Sequence, residues 1–407
     1  MKQIEGGVTA AKGFEAAGAE AEVKYKGRKD VALIMSEAPC RAAGTFTTNV
    51  VKAAPVLWDK EVVEASPYVQ AVVINSGIAN ACTGKQGTEC CREEARWAGE
   101  LLGIPQSAVL VASTGEIGRQ IPMDRIHEGI EKAAAAKSGT LQAGLDAAQA
   151  IMTTDTVPKQ IAVETTIGGK TVTLGGMCKG SGMIHPNMCT MLCFITTDAN
   201  ISKDMLKKAV SADVKDSFNM ISVDGDTSTN DTFLVLANGM AGNPEITTEG
   251  ADFDAFCQAL AFLTTRLARM IAGDGEGATA LFETKVVGAA TKEDARVLAK
   301  SVICSSLTKA AIFGHDANWG RILCALGYSG ADFDPDNVDL YFQGKNGKIH
   351  IFGNGNACDY SEEEASQLLS QPEVCVLVDM HMGNEEATAW GCDLSYDYVR
   401  INADYRS

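Results

Sequence analysis

The sequence predicts a layered protein of mixed α/β or α+β class. Short, apolar, β-branched runs alternate with Ala-rich helical stretches along the whole length, and no repeat, low-complexity tract or obvious linker interrupts them. The 407-residue length sets a prior of roughly two to three domains. Hydrophobic residues at 46% and charged residues at 21% are ordinary for a globular enzyme.

Taken in order, VALIMS (31–36) and QAVVIN (70–75) read as strands, being short, apolar and β-branched. Small and apolar residues then recur at helical spacing from Thr88 to Leu102, where Gly103 and Pro105 fit a helix stop. SAVLVAS (107–113) is a buried strand running into the turn TGEIG, and helices follow around Asp124–Lys137 and Thr140–Met152. KTVTLGGMCKGSGM (170–183) is a strand entering a Gly-rich turn, and TMLCFITTDA (190–199) is a strand again. A helix begins with Ser202 as N-cap, and DTFLVLANG (231–239) is a strand. The clearest helix is DFDAFCQALAFLTTRLARMIAGD (252–274), with an apolar stripe and basic residues near its C-terminal end. Beyond a boundary expected near residue 280 come the helix KEDARVLAKSVICSS and a hairpin turning through Lys345–Gly347. A helix capped by Ser361 and the strand PEVCVLVDM complete the pattern.

Thirty-five Lys and Arg against 52 Asp and Glu give a net charge of −17, which argues against nucleic acid or an anionic membrane as partner. An acidic surface also means that an anionic substrate needs a locally basic pocket. The thirteen cysteines are odd in number and scattered, with one adjacent pair (Cys90, Cys91) and neither a CxxC nor a zinc-like spacing. With no secretory h-region at the N-terminus, they read as reduced, mostly buried small hydrophobes of a cytoplasmic protein without a metal. No run approaches the ~20 apolar residues of a membrane span.

KGSGMIHPNMCTMLCFITTDA (179–199) is the richest segment. Gly180 and Gly182 permit close backbone approach, and Pro186 biases His185 towards an extended conformation. A flexible turn thus meets a stiff apolar strand at Thr190. On residue types alone this is most simply a tight turn leading into a core strand, although the same geometry suits a hydroxyl held exposed at a strand start. Elsewhere, GHDANWGR (314–321) gathers His315, Asp316 and Asn318, and reads as a polar turn anchored by Trp319 in preference to a metal or triad site. GDGEGAT (273–279) lacks the GxxxxGK[ST] spacing of a phosphate loop.

The segment around Thr190 closely resembles the autoprocessing segment of the ornithine acetyltransferases of arginine biosynthesis, whose pattern is KGSGMIAPNMATML-like. STGEIG (113–118), MTTDT (152–156), GDGEGAT, GHDANWGR and the ending RINADYRS also have counterparts in order, so the likeness spans the chain. The departures are His185 and Cys189 where small residues are expected, Ile78 within an NSGNANA-like run at 75–81, and Ser407 in place of a terminal Thr.

The resemblance implies a layered αββα-type sandwich over residues 1–280 and a smaller C-terminal α+β unit over 281–407, whose tail returns to the active site. It implies self-cleavage between Cys189 and Thr190 into pieces of 189 and 218 residues, 1–189 and 190–407. The Thr190 oxygen would attack the Cys189 carbonyl, and water would open the resulting ester. The freed α-amine, with a reference pKa of about 7.7–8.0, would then serve as base to its own hydroxyl. Thr114 and Gly115 match the family's oxyanion pair. Thr156, Lys179, Thr190, Glu276, Asn402 and Ser407 match its substrate contacts, Thr156 being preferred to Thr153 and Thr154 by motif position only. Lys179 suits a carboxylate as a point charge, and Glu276 an ammonium group.

The reaction implied is ping-pong transfer of acetyl from N2-acetyl-L-ornithine to L-glutamate through acetyl-Thr190, with no metal or cofactor. Acetyl-CoA stands as a further co-substrate because some family members accept it. The family also implies that the two pieces stay associated and pair again into a heterotetramer. Two other readings are an N-terminal-nucleophile aminopeptidase or amidohydrolase on the same scaffold, and a binding protein that never cuts itself.

Overall fold

The computed structural model describes residues 1–185, 191–345 and 347–404. Its first part runs β1 (Lys2–Ile4), β2 (Phe14–Ala19), β3 (Val31–Phe46), α1 (Ala54–Ala65), β4 (Val69–Ile78), α2 (Gly84–Leu102), β5 (Val109–Glu116), α3 (Met123–Ala136), α4 (Leu141–Ala150), β6 (Lys159–Ile167) and β7 (Lys170–Lys179). Next come β8 (Leu192–Thr197), α5 (Lys203–Asp213), β9 (Ile221–Ser222), β10 (Thr232–Ala237) and α6 (Ala251–Gly273). The remainder is β11 (Leu281–Ala289), α7 (Lys292–Cys304), α8 (Ser306–Phe313), α9 (Trp319–Gly327), β12 (Asp339–Gly344), β13 (Gly347–Gly353), β14 (Asn356–Ala357), α10 (Glu362–Leu369), β15 (Glu373–Asp379), β16 (Glu385–Cys392) and α11 (Tyr396–Asp404).

The long strand β3 organises the first part. Its residues 31–36 pair antiparallel with β2 and β4, and its residues 41–46 pair antiparallel with β10. Around Pro39 the strand passes from one layer to the other, giving the order β1-β6-β7-β8-β10-β3-β4-β5 with β2 beside β3. Side chains alternate along each strand, and they sort cleanly into separate cores. Leu192 and Phe194 of β8 and Leu234 and Leu236 of β10 meet Ala32, Ile34, Val72, Ile74, Leu110 and Ala112 from the opposite layer. Their neighbours Cys193, Ile195, Phe233 and Val235 face away, onto α5 and α6. Likewise Val31, Leu33, Ala71, Val73, Val109 and Val111 face outward onto α2 and α3. The result is helix, sheet, sheet, helix. Strands buried on both faces are near-continuous apolar runs. Each fully buried Phe or Leu among them contributes roughly 1.5–3 kcal/mol.

A second sheet, β14-β13-β12-β15-β11-β16-β9, is packed by α7 and α6. β11 begins at Leu281, close to the expected boundary, yet one core runs from α6 straight into this sheet. Its edge strand β9, parallel to β16, comes from residues 221–222. The two parts are therefore stitched together.

Local signals account for most helix starts. Ser202 and Ser361 accept from Met205 N and Glu364 N at 3.4 and 3.2 Å, and Thr140 caps α4. One expectation needs correction. The segment 314–321 is not only a polar turn, because Asn318 accepts from Arg321 N at 3.2 Å and starts α9 at Trp319, whose ring stacks on Phe352 at 5.1 Å. The helix α1, with Pro55 in its first turn, was not foreseen at all. Of the twelve described cysteines only six are buried; four are half-buried and Cys82 and Cys324 are exposed. No described helix is long and apolar enough to cross a membrane.

Candidate active site

A cavity of about 160 Å³ opens where the C-terminal ends of β5 and β7 meet the loops leading into β8, β10 and β11. Thr114, Gly115, Lys179, Glu276 and Asn402 all line it. They come from four distant parts of the chain, and the fold alone brings them together.

Thr114 and Gly115 end the buried strand β5, which runs parallel to β4 with Ser76 opposite Thr114 and Gly77 opposite Gly115. The two strands approach so closely that a Cβ on Gly115 would lie 2.2 Å from the Gly77 carbonyl carbon, and Gly115 holds φ at +130°. Only glycine fits there.

Lys179 is the last residue of β7 and is 7% exposed. Its Nζ lies 3.9 Å from Asp155 Oδ2. Asp155 also takes Lys159 Nζ at 2.7 Å and the Gly180 N–H at 2.7 Å, and Lys159 reaches Asp274 at 2.5 Å. Burial alone would raise the Asp155 pKa, but the Lys179 and Lys159 charges overcome it and hold the carboxyl down to about 2. The same burial lowers the Lys179 pKa from its ordinary value, against the pull of Asp155. A buried cation thus faces the cavity, held from behind by an ionised aspartate.

Glu276 and Asn402 form the opposite wall. Asn402 Nδ2 donates to Glu276 Oε2 at 2.8 Å, and the Glu276 N–H donates to Ser181 O at 3.0 Å. Gly182 makes room for the carboxylate, since a Cβ there would sit 2.3 Å from Glu276 Cδ. Thr156 is placed differently: it is exposed, does not line the cavity, and donates its hydroxyl to Asp274. Thr153 and Thr154 line the cavity instead.

Thr190, Cys189 and Ser407 lie outside the described residues. Met191, which follows Thr190, lines the cavity, and its carbonyl accepts from Thr232 N at 2.9 Å. Upstream, Asp224 accepts from the N–H groups of Met183 and Ile184 at 2.6 and 2.9 Å. His185 does not line the cavity. Its Nδ1 lies 3.1 Å from Ser222 Oγ and 3.5 Å from Cys304 Sγ, and burial, aided by the Lys300 charge, lowers its pKa to about 4. Among the described residues no group of three or more His, Cys, Asp or Glu is arranged to hold a metal ion.

The loop Ser228–Asp231 supplies a fourth side of the cavity that sequence reasoning missed. Asp231 is 2% exposed, and burial raises its pKa well above the ordinary carboxylate value, with Lys179 opposing. The only trace in the sequence is a run dense in Asp, Ser, Thr and Asn before an apolar strand, DGDTSTNDT (224–232), a composition that most often marks an ordinary loop.

Residues 15–407 match the model of the ArgJ family. The chain belongs to the ArgJ family. Arginine biosynthesis bifunctional protein ArgJ of Symbiobacterium thermophilum is 56% identical over 409 residues, covering all of both chains. That of Caldanaerobacter subterraneus is 50% identical over 407 residues, again covering all of both. Among solved structures, the crystal structure of arginine biosynthesis bifunctional protein ArgJ from Bacillus halodurans is 47% identical with a TM-score of 0.50. The match covers 52% of this chain and 98% of that one. The cavity described above is where residues of the segments STGEIG, MTTDT, GDGEGAT and RINAD converge.

Proposed function

We propose that this chain is a self-cleaving glutamate N-acetyltransferase that moves acetyl from N2-acetyl-L-ornithine to L-glutamate in arginine biosynthesis. One observation carries the reading. Thr114, Gly115, Lys179, Glu276 and Asn402 open onto a single cavity together with Met191, the residue bonded to Thr190.

The residues divide the work by their chemistry. In self-cleavage the Thr190 oxygen replaces the nitrogen at the Cys189 carbonyl, and water then releases the Cys189 carboxylate and a free Thr190 amine. In turnover that amine takes the hydroxyl proton as Thr190 attacks the acetyl carbonyl of acetylornithine. The tetrahedral oxyanion is met by the Thr114 hydroxyl and the Gly115 N–H, each worth about 3–4 kcal/mol where such donors are well aimed. The protonated amine then hands its proton to the departing ornithine nitrogen. Glutamate attacks the acetyl ester by the same route in reverse, and no cofactor enters either half.

Acetylornithine and glutamate share an α-carboxylate, for which the buried Lys179 ammonium is a suitable partner in so acidic a protein. The Glu276 carboxylate suits the side-chain ammonium of ornithine that is left bare when acetyl sits on the α-nitrogen. Ser407 remains an expected contact from motif position, and Thr153 and Thr154, which line the cavity, take the place expected of Thr156. The hydrolase reading is not favoured, since the matched relatives carry the name of an arginine-biosynthesis protein. Their designation as bifunctional is in keeping with acetyl-CoA as a second acetyl donor. The Bacillus halodurans chain is about half as long as this one, which is what a cut near residue 190 would leave. The pieces would stay paired and assemble as two of each, in the cytoplasm.

Intact-mass measurement of the purified protein, together with ornithine release in the presence and absence of glutamate, tests the reading. The expected result is two pieces of 189 and 218 residues and glutamate-dependent release. Thr190→Ala should stay uncut and lack transferase activity. Full turnover by uncut protein would overturn the mechanism.

A further inference from the structure

The oxyanion pair Thr114–Gly115 lies where strand pairing is least able to hold it. β4 and β5 pair regularly from Ala71–Val109 to Gly77–Gly115, and the register then shifts at Ile78. At Gly77 and Gly115 themselves there are no side chains to brace the strands. Two backbone carbonyls flank the pair, Ser113 O before it and Glu116 O after it, and both are tied to the same residue, Ala79. Glu116 O accepts the Ala79 N–H at 2.9 Å. Ser113 O is reached through a side chain from elsewhere: Asn230 Nδ2 donates to Ser113 O at 2.8 Å and to Ala79 O at 2.5 Å.

Asn230 is 6% exposed and is itself held in place. Thr229 Oγ1 donates to Asn230 Oδ1 at 2.6 Å, and the Asn230 N–H donates to Ser228 Oγ at 3.1 Å. The side-chain amide therefore cannot flip without losing its bonds to Thr229, Ala79 and Ser113. Ser113 C=O and Thr114 N–H belong to one peptide plane, so gripping the first orients the second. Buried carbonyls that lose such a partner must turn to find another.

We propose that Asn230 is a positioning residue for acyl transfer: its side-chain amide cross-links Ala79 and Ser113, and so fixes the aim of the Thr114 hydroxyl and the Gly115 N–H at the developing oxyanion. The proposal rests on the reading of Thr114 and Gly115 as oxyanion donors. Preorganised donors lose their advantage when they must be oriented during the reaction, so the effect falls on the transition state and not on substrate binding.

The test compares Asn230→Asp, Asn230→Ala and the milder Thr229→Val with the parent, each normalised to folded, cleaved protein, using acetylornithine and glutamate as substrates. Asn230→Asp keeps the shape but turns an acceptor towards two carbonyl oxygens. The expected result is a kcat lower by about tenfold to a hundredfold in the two Asn230 variants, and by less in Thr229→Val, with KM for acetylornithine within about threefold of the parent. In a Thr114→Val background, Asn230→Ala should cost less than it does in the parent, because one of the two donors it aims is gone. An unchanged kcat, a loss confined to KM, or losses that multiply fully in the double variant overturns the role of Asn230. A parent protein that transfers no acetyl would instead overturn the functional reading, so the two failures are distinguishable.

Discussion

Asn402 on the last helix donates its amide to the carboxylate of Glu276, 126 residues away, at 2.8 Å. A residue near the C-terminal end thereby fixes Glu276, an acidic side chain that lines the same cavity as Lys179. If Glu276 receives the ornithine ammonium, removing its partner loosens the receptor and leaves the chemistry alone. Asn402→Ala is expected to raise KM for acetylornithine about tenfold, equivalent to about 1.4 kcal/mol, with a much smaller change in kcat. Steady-state kinetics with both substrates varied checks this.

The Asp155–Lys159 pair is almost wholly buried, and Asp155 serves two lysines at once. Lys159→Met removes one of them and leaves a buried carboxylate short of charge, at an expected cost of about 3–5 kcal/mol in thermal or denaturant unfolding. The acid limb should move as well. The Asp155 pKa is held at about 2, below its ordinary value of 3.8. Its ionisation therefore supports the fold above pH 3.8, and that support is lost as pH falls towards 2. In Lys159→Met the acid-unfolding midpoint should shift upward, which melting curves between pH 2 and 5 would read.

Two acids lie deep between α1, α2 and β5, far from this chemistry. Asp59 Oδ1 accepts from Val111 N at 2.8 Å, while Asp59 Oδ2 and both Glu94 oxygens have no hydrogen-bond partner among the described residues. Burial raises the Glu94 pKa to about 8 and pushes Asp59 well up too. A raised folded pKa makes stability fullest below the unfolded value of 4.5, and stability declines as pH rises through about 8. The melting temperature should therefore fall between pH 5 and 8, and Glu94→Gln should flatten that slope. An equal slope in parent and variant would refute it.

Legibility followed the physics of each element. Strands such as 70–75 and 107–113 were readable because their middle residues, 71–74 and 108–112, are buried on both faces and are all apolar. The helix after Asn318 was hidden because its capping residues look like a polar turn, and the helix itself has only nine residues, two of them glycine. At the site, Thr114, Gly115, Lys179, Glu276 and Asn402 came from motif resemblance, and no spacing rule would have joined positions so far apart. Thr153, Thr154 and Thr156 sit within four residues of one another, and composition cannot say which of these turns inward; Thr153 and Thr154 do. Asn230 carried no signal, because its role depends on which two carbonyls the fold sets beside it.

The strand order bears on how a cut molecule could ever be made. Before residue 190 the chain supplies β1 to β7; after it come β8 and β10, which lie wedged between β7 and β3. Neither fragment owns the whole of this first sheet. A 1–189 fragment synthesised alone would have a gap two strands wide through its middle, and a 190–407 fragment would have two orphan strands. Co-expressed halves would have to thread together, whereas one continuous polypeptide could fold first and be severed afterwards. A cut at residue 190 would then be a final, irreversible step on a finished scaffold, and it need not loosen the product.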